Sequence, residues 1–201
     1  MKVALLGSAL VALGVNGCTS PPEAKGKVAF FDASALKPDA LPGERAQLIL
    51  AGTEVNVALK QEQKGTKTHL LLLAHDEVFE HELYDSSPTA FRLENASDNV
   101  YTPGIDLLRF PLAFGDQWDW KGKETVGGIS RNASAGITTV ADKLYIDGVP
   151  VETVQVSVDL KLEAEGSGPV AHRKLAFWFA PGKGVIRREF GSASVRQPVA
   201  P

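Results

Sequence analysis

Cysteine is almost missing from this chain: its 201 residues include one, Cys18, beside a single methionine, Met1. One cysteine excludes an intrachain disulfide and a thiolate metal cluster, so stability has to come from an apolar core. A strong excess of charge is lacking as well. The formal net charge is −3, which implies no basic surface for nucleic acid, and no nucleic-acid partner is expected. The sequence has no Gly-x-Ser-x-Gly elbow, no phosphate loop and no Gly-x-Gly-x-x-Gly after a strand. No cofactor or catalytic residue is therefore assigned, and a non-enzymatic role is favoured. No internal repeat of fixed period is visible, which disfavours a propeller or solenoid. What remains is a composition with 44% hydrophobic and 22% charged residues, that of an ordinary globular domain. The length suits one domain.

The N-terminus departs from that average. Lys2 supplies a positive charge, Val3 to Val15 carries none, and Gly17-Cys18 closes the apolar stretch ahead of Thr19-Ser20-Pro21-Pro22. Charged, apolar and cleavage regions follow in the order of a signal peptide. The apolar run is shorter than the ~20 residues of a membrane-spanning helix, and no later run approaches that length. Val15-Asn16-Gly17-Cys18 resembles the bacterial lipobox, with Asn16 where a small or β-branched residue is usual. The resemblance implies cleavage between Gly17 and Cys18 and attachment of diacylglycerol to the Cys18 thiol, with further acylation (palmitate, for example) of the new amine. It also implies a lipoprotein whose membrane partner is reached through its N-terminal lipid. Thr19 after the cysteine, rather than Asp, implies the outer membrane of a Gram-negative envelope and a periplasmic or surface-exposed domain. The competing reading is an ordinary secretory signal with Cys18 incidental.

The resulting organisation is a signal peptide over 1–17, a lipidated tether over 18–26, a single β domain over 27–191 and a flexible tail over 192–201. Lys27 to Phe31 reads as a first strand, and Asp32 to Arg45 as a loop with one short turn of helix. Gln47 to Ala51 is ambiguous between strand and helix. Val55, Val57 and Leu59 alternate with polar or small residues at strand period, and Leu70 to Leu73 reads as a central strand. Val78 to Tyr84 and Thr89 to Glu94 flank a turn at Asp85-Ser86-Ser87-Pro88. Ile137 to Ile146 leads into Asp147-Gly148, a strong hairpin signal. Val154, Val156, Val158, Leu160, Leu162 and Ala164 form one face of the clearest half-buried strand. Gly166 to Pro169 and Pro181 to Gly184 turn the chain twice more. These strands predict an all-β, antiparallel fold of about ten strands in a strongly curved sheet, an open barrel or a sandwich.

Phe110-Pro-Leu-Ala-Phe-Gly-Asp-Gln-Trp-Asp-Trp120 and Phe177-Trp-Phe-Ala-Pro-Gly-Lys-Gly-Val-Ile-Arg-Arg-Glu-Phe190 resemble motifs of a family of exported bacterial β-proteins of unknown function. That family includes the pilus-associated protein TapB. The resemblance spans Leu107 to Phe190 and implies an exported β domain, often on a lipoprotein, with no catalytic residues.

Several residues have two readings. Trp118, Trp120 and Trp178 either fill the core or form a candidate ligand or partner surface. His69, His75 and His81 lie six apart near Asp76, Glu77, Glu80 and Glu82. His69 and His75 would share a strand parity, with His81 approaching from the next strand across a turn at Asp76-Glu77, but the spacing matches no known metal site. These residues read instead as solvated polar positions, and no metal is expected. Arg173-Lys174 and Arg187-Arg188 form a basic cluster on adjacent strands, paired with acidic neighbours or open to a headgroup or partner. Asn95 and Asn132 match the glycosylation pattern, which a bacterial envelope leaves unmodified. The leading function is a lipid-anchored envelope protein that contacts an envelope protein partner as an assembly or accessory factor. The alternative is a β-cup binding module for a lipid or other apolar ligand.

Overall fold

The computed structural model describes residues 27–36, 45–50, 53–146, 148–163, 170–190 and 192–197. The expected signal peptide and tether, with Gly17 and Cys18, lie outside the described residues, as does Ala164.

The chain begins with β1 (Val28–Phe30), a one-turn 3-10 helix (Ala33–Leu36) and β2 (Arg45–Leu50). Four strands follow as consecutive hairpins: β3 (Thr53–Lys64), β4 (Lys67–Ala74), β5 (Glu77–Ser86) and β6 (Ala90–Ala96). β7 (Asn99–Arg109) leads through the short β8 (Leu112–Ala113) to β9 (Gln117–Val126). The longest pair is β10 (Ile129–Ile146) and β11 (Val149–Leu162), followed by β12 (Ala171–Ala180), β13 (Gly184–Phe190) and β14 (Ser192–Gln197).

The fold is all-β and antiparallel. Twelve strands follow one another round a closed hydrogen-bonded ring in the order β10-β11-β12-β13-β14-β2-β3-β4-β5-β6-β7-β9, and β1 pairs with β8 apart from it. Closure gives each strand of the ring a hydrogen-bonded neighbour on both sides along at least part of its length, which limits the exposed edge that is the usual hazard of a sheet. The structure corrects the expected boundary at 191: residues 192–197 are not a tail but β14, paired with β13 on one side and with β2 on the other. Only Ala193 and Val195 of those six residues are apolar, so their sequence carries little strand signal, yet ladders run along both sides of the strand.

Alternation places the core. Val154, Val156, Val158, Leu160 and Leu162 are 0–2% exposed, whereas Ser157, Asp159 and Lys161 between them face solvent. Leu72, Leu93, Ile105, Leu107, Leu112 and Phe177 join them inside, all at 0%. Each fully buried side chain of this size contributes about 1.5–3 kcal/mol. The 3-10 helix drops Leu36 (2% exposed) onto this core, and the Gly182 N–H donates to Ala35 O at 2.7 Å.

A short seam lies between β7 and β9. Their ladder runs from Asn99–Val126 to Thr102–Lys123 and stops at Pro103, which has no N–H to donate. Two indoles cross the gap instead. Trp120 Nε1 donates to Pro103 O at 3.0 Å, and Trp118 Nε1 donates to Asp106 O at 2.9 Å. Gly122 allows this approach: a Cβ there would stand 2.6 Å from both Thr102 O and the Trp120 ring.

Candidate functional site

The inward faces of the strands are not uniformly apolar. On β5 the alternation puts Glu80, Glu82 and Tyr84 inside, at 7%, 0% and 2% exposure. They meet Arg188, which β13 turns inward beside Phe177 of β12 and which is 1% exposed. The Arg188 guanidinium pairs with Glu80 through Nη2 and with Glu82 through Nε. Tyr84 Oη donates to Glu82, and Ser97 Oγ donates to Glu80 at 2.6 Å. Burial alone would push the Arg188 guanidinium down. Glu82 and then Glu80 outweigh that, and it stands above its ordinary value. Burial, then the Glu82 charge, hold the Tyr84 hydroxyl well above the usual tyrosine range.

A second buried cluster gathers around Glu124 of β9, which is 0% exposed. Arg173 Nη1 donates to Glu124 Oε1 at 2.8 Å and to Asn99 Oδ1 at 3.2 Å, and Arg131 Nε stands 4.0 Å from Glu124 Oε2. Tyr101 packs edge-on against Trp120 with centroids 6.3 Å apart. Burial and then the Glu124 charge raise its hydroxyl to about 12. The β6–β7 turn touches both clusters, through Ser97 on Glu80 and Asn99 on Arg173.

These clusters correct one expectation and refine another. Glu80 and Glu82 are not solvated strand positions, because the β5 alternation directs them to the interior. The basic cluster divides by strand parity. Arg173 and Arg188 turn inward onto carboxylates, Lys174 is exposed, and Arg187 faces out, its guanidinium 4.6 Å above the Trp178 ring and paired with Glu189. Sequence reasoning missed that the acidic and basic residues are buried together. The signal was present as Glu80, Glu82 and Tyr84 alternating at strand period with His81 and Leu83.

The tryptophans occupy three settings. Trp120 is 6% exposed within the main core. Trp118 is half-buried, with the Arg109 guanidinium 5.4 Å from its ring centroid. Trp178 is 5% exposed on the outer face of the sheet, where Leu144, Ile146, Ala180 and Ile186 form a separate apolar cluster with it. Its Nε1 donates to Asp142 at 2.6 Å.

His69 and His81 do converge on the outer face, with Nδ1 and Nε2 2.9 Å apart. Their ring planes lie 2° apart and their centroids 5.2 Å apart. The two nitrogens lie within hydrogen-bonding distance, with the donor set by the tautomers of the two rings. Burial and then the His69 charge lower the His81 imidazole below its ordinary value. His75 sits apart in the β4–β5 turn at φ 53°. No group of three His, Cys, Asp or Glu side chains placed to hold a metal occurs among the described residues.

Two kinds of concavity are present. A crevice lined by Leu36, Leu70, Tyr84, Phe91 and Val185 reaches toward the core with a volume of about 40 Å³. Ligand pockets take ~300–1,000 Å³. The outer face of β10 to β13 carries the second. There Gly136, Thr138, Ser157 and Ala176 floor a groove of about 610 Å³, with Asp159, Lys174 and Glu189 beside it.

The chain matches no family model, and no curated protein matches it in sequence. Solved structures do resemble it. A candidate lipoprotein from Parabacteroides distasonis is similar over 85% of this chain and 99% of that one, with a TM-score of 0.52 at 9% identity. A candidate exported protein with a YmcC-like fold from Bacteroides fragilis gives 0.48 at 12% identity, over 83% and 99% of the two chains. The hypothetical lipoprotein YmcC of Escherichia coli gives 0.46 at 15%, over 80% and 86%. At 9% identity the likeness to the Parabacteroides protein is one of fold: this chain shares the curled antiparallel sheet of a bacterial candidate lipoprotein.

Proposed function

We propose that the chain is a lipid-anchored protein of the bacterial envelope, held through Cys18 in the outer membrane, that acts through protein contacts as an assembly or accessory factor. The observation that carries this reading is Val15-Asn16-Gly17-Cys18 at the end of a charged, then apolar leader. The fold shared with a candidate lipoprotein is consistent with it. The motifs resembling the TapB-containing family point the same way. Two or three acyl chains would hold such a protein stably, since each buried methylene contributes ~0.8 kcal/mol and one chain is marginal. The groove lined by Gly136, Ser157 and Ala176 offers a partner an open face with Asp159, Lys174 and Glu189 beside it. The test is the intact mass of the membrane-extracted protein beside a Cys18→Ser variant. A chain starting at Cys18 and heavier by two or three acyl groups, lost in the variant, supports the anchor. A photo-crosslinker at Ser157 that captures nothing above background from intact envelopes counts against the accessory role.

A further inference from the structure

The outer-face cluster around Trp178 stiffens one part of the fold. β10 pairs with β9 only as far as Thr138–Gln117, and β11 pairs with β12 only as far as Val154–Phe179. Beyond those limits Val140–Ile146 and Val149–Thr153 ladder only with each other, while Gly115 and Asp116 hold Thr139 at the base. A lone two-stranded ribbon is marginal in water. Here Leu144, Ile146 and Val151 of the ribbon pack on Trp178, Ala180 and Ile186 of β12 and β13, and Asp142 holds the Trp178 indole. The ribbon is thereby fixed as a rigid projection. Its tip carries Tyr145 at 71% exposure and Val149 at 61%.

The chain enters the domain beside the base of this projection. Lys27 O accepts from Phe114 N at 3.1 Å, and the adjacent Gly115 N donates to Thr139 O at 2.9 Å. From there the chain runs through Phe31, 76% exposed, to Ala35, which bonds Gly182 in the β12–β13 turn at the same end. From Thr139 to Ile146 the ribbon advances about 24 Å. The nine residues 18–26 allow Lys27 to stand at most about 30 Å from Cys18. The tether is thus long enough for the tip to reach the surface in which the lipid sits.

We infer that the β10–β11 tip, with Tyr145 and Val149, rests in the interface of the bilayer that holds the Cys18 lipid, so that the domain stands on the membrane in a fixed orientation. This rests on the anchor proposed above. Tyrosine suits that position, with an apolar ring and a hydroxyl that reaches water, and tyrosines concentrate at bilayer interfaces. Phe31, at the same end, meets the same surface from the side.

The test uses the lipidated full-length mature protein in vesicles of phosphatidylethanolamine and phosphatidylglycerol. Once Cys18 is acylated, a cysteine placed by Tyr145→Cys is the chain's one free thiol, and it takes a spin label. A second sample carries Phe79→Cys at the start of β5, at the opposite end of the ring. The label at 145 is expected to be shielded from a water-soluble nickel chelate several-fold more than the label at 79. Equal accessibility, on protein whose intact mass carries acyl chains, overturns the orientation and leaves the anchor standing. An intact mass without acyl chains removes both. Val149→Cys, read in the same way, serves if Tyr145→Cys fails to fold.

Discussion

Arg188→Met is the most demanding test of the interior described above. The guanidinium is 1% exposed and pairs with Glu80 and Glu82, whose side chains are 6% and 0% exposed. Methionine keeps most of the volume and deletes the positive charge of these two ion pairs. Two carboxylates then stay in a site built for an ion cluster, with Ser97 Oγ and Tyr84 Oη as donors. Breaking a buried pair from one side costs ~3–5 kcal/mol, because the stranded partner keeps its desolvation penalty. Urea denaturation at pH 7, followed by tryptophan fluorescence, reads this directly. With a slope of ~2 kcal/mol per molar, the midpoint falls by about 1.5–2.5 M. A companion variant, Arg188→Met with Glu80→Gln and Glu82→Gln, removes the stranded charges and is expected to recover part of the loss. A midpoint shift worth less than ~1 kcal/mol in the single variant would refute the reasoning, because surface ion pairs contribute no more than that. So would a triple variant weaker than the single one.

Alkaline titration probes the second cluster. Tyr101 keeps its proton to about 12 in the fold but only to 10.0 unfolded, so its contribution is complete below pH 10 and is lost as pH rises toward 12. That interval is worth about 2–3 kcal/mol, and Tyr101→Phe should flatten the fall in thermal stability; an unchanged slope rejects the assignment. Proton NMR should show His81 titrating below the ordinary imidazole value of 6.5, with its midpoint rising in His69→Gln as the His69 charge is removed. A midpoint unmoved by that substitution would discount the pair. Gly122→Ala drives a Cβ against Thr102 O and the Trp120 ring and should cost about 1–3 kcal/mol by chemical denaturation. Leu144→Ala should cost about 2–5 kcal/mol if the outer cluster stiffens the ribbon, and amide exchange at Val151 should quicken with it.

The all-β class was legible because the strands alternate and their turns are spelled out. Gly148, Gly182 and Gly184 take φ of 78°, 66° and 67° at the turns their neighbours announce. β7 was not read as a strand because Pro103 and Gly104 interrupt it; the Trp118 and Trp120 indoles bridge that interruption from another part of the chain. β14 was missed for the opposite reason, since nothing in its mostly polar residues requires a strand until β13 and β2 flank it. The buried ions were hidden by composition. Glutamate and arginine read as surface residues singly, and only the ring brings residue 80 within reach of residue 188. Of the candidate residues, the proposed anchor at Cys18 rests on local pattern alone, Val15-Asn16-Gly17-Cys18 after an apolar leader. The β10–β11 tip was not legible, because its extent depends on where β9 and β12 stop.

The placement of β14 sets an order on assembly. Residues 193–197 lie between a strand made just before them and a strand some 145 residues earlier, paired through Ala193–Ile49 and Gln197–Arg45. Until residue 197 is available, β13 and β2 are both open edges, each offering a row of unpaired amides and carbonyls to any extended segment nearby. The domain is therefore most exposed to intermolecular strand exchange just before completion. A chain cut at 191 would retain nearly all of its apolar core and yet be adhesive, a failure of closure and not of stability.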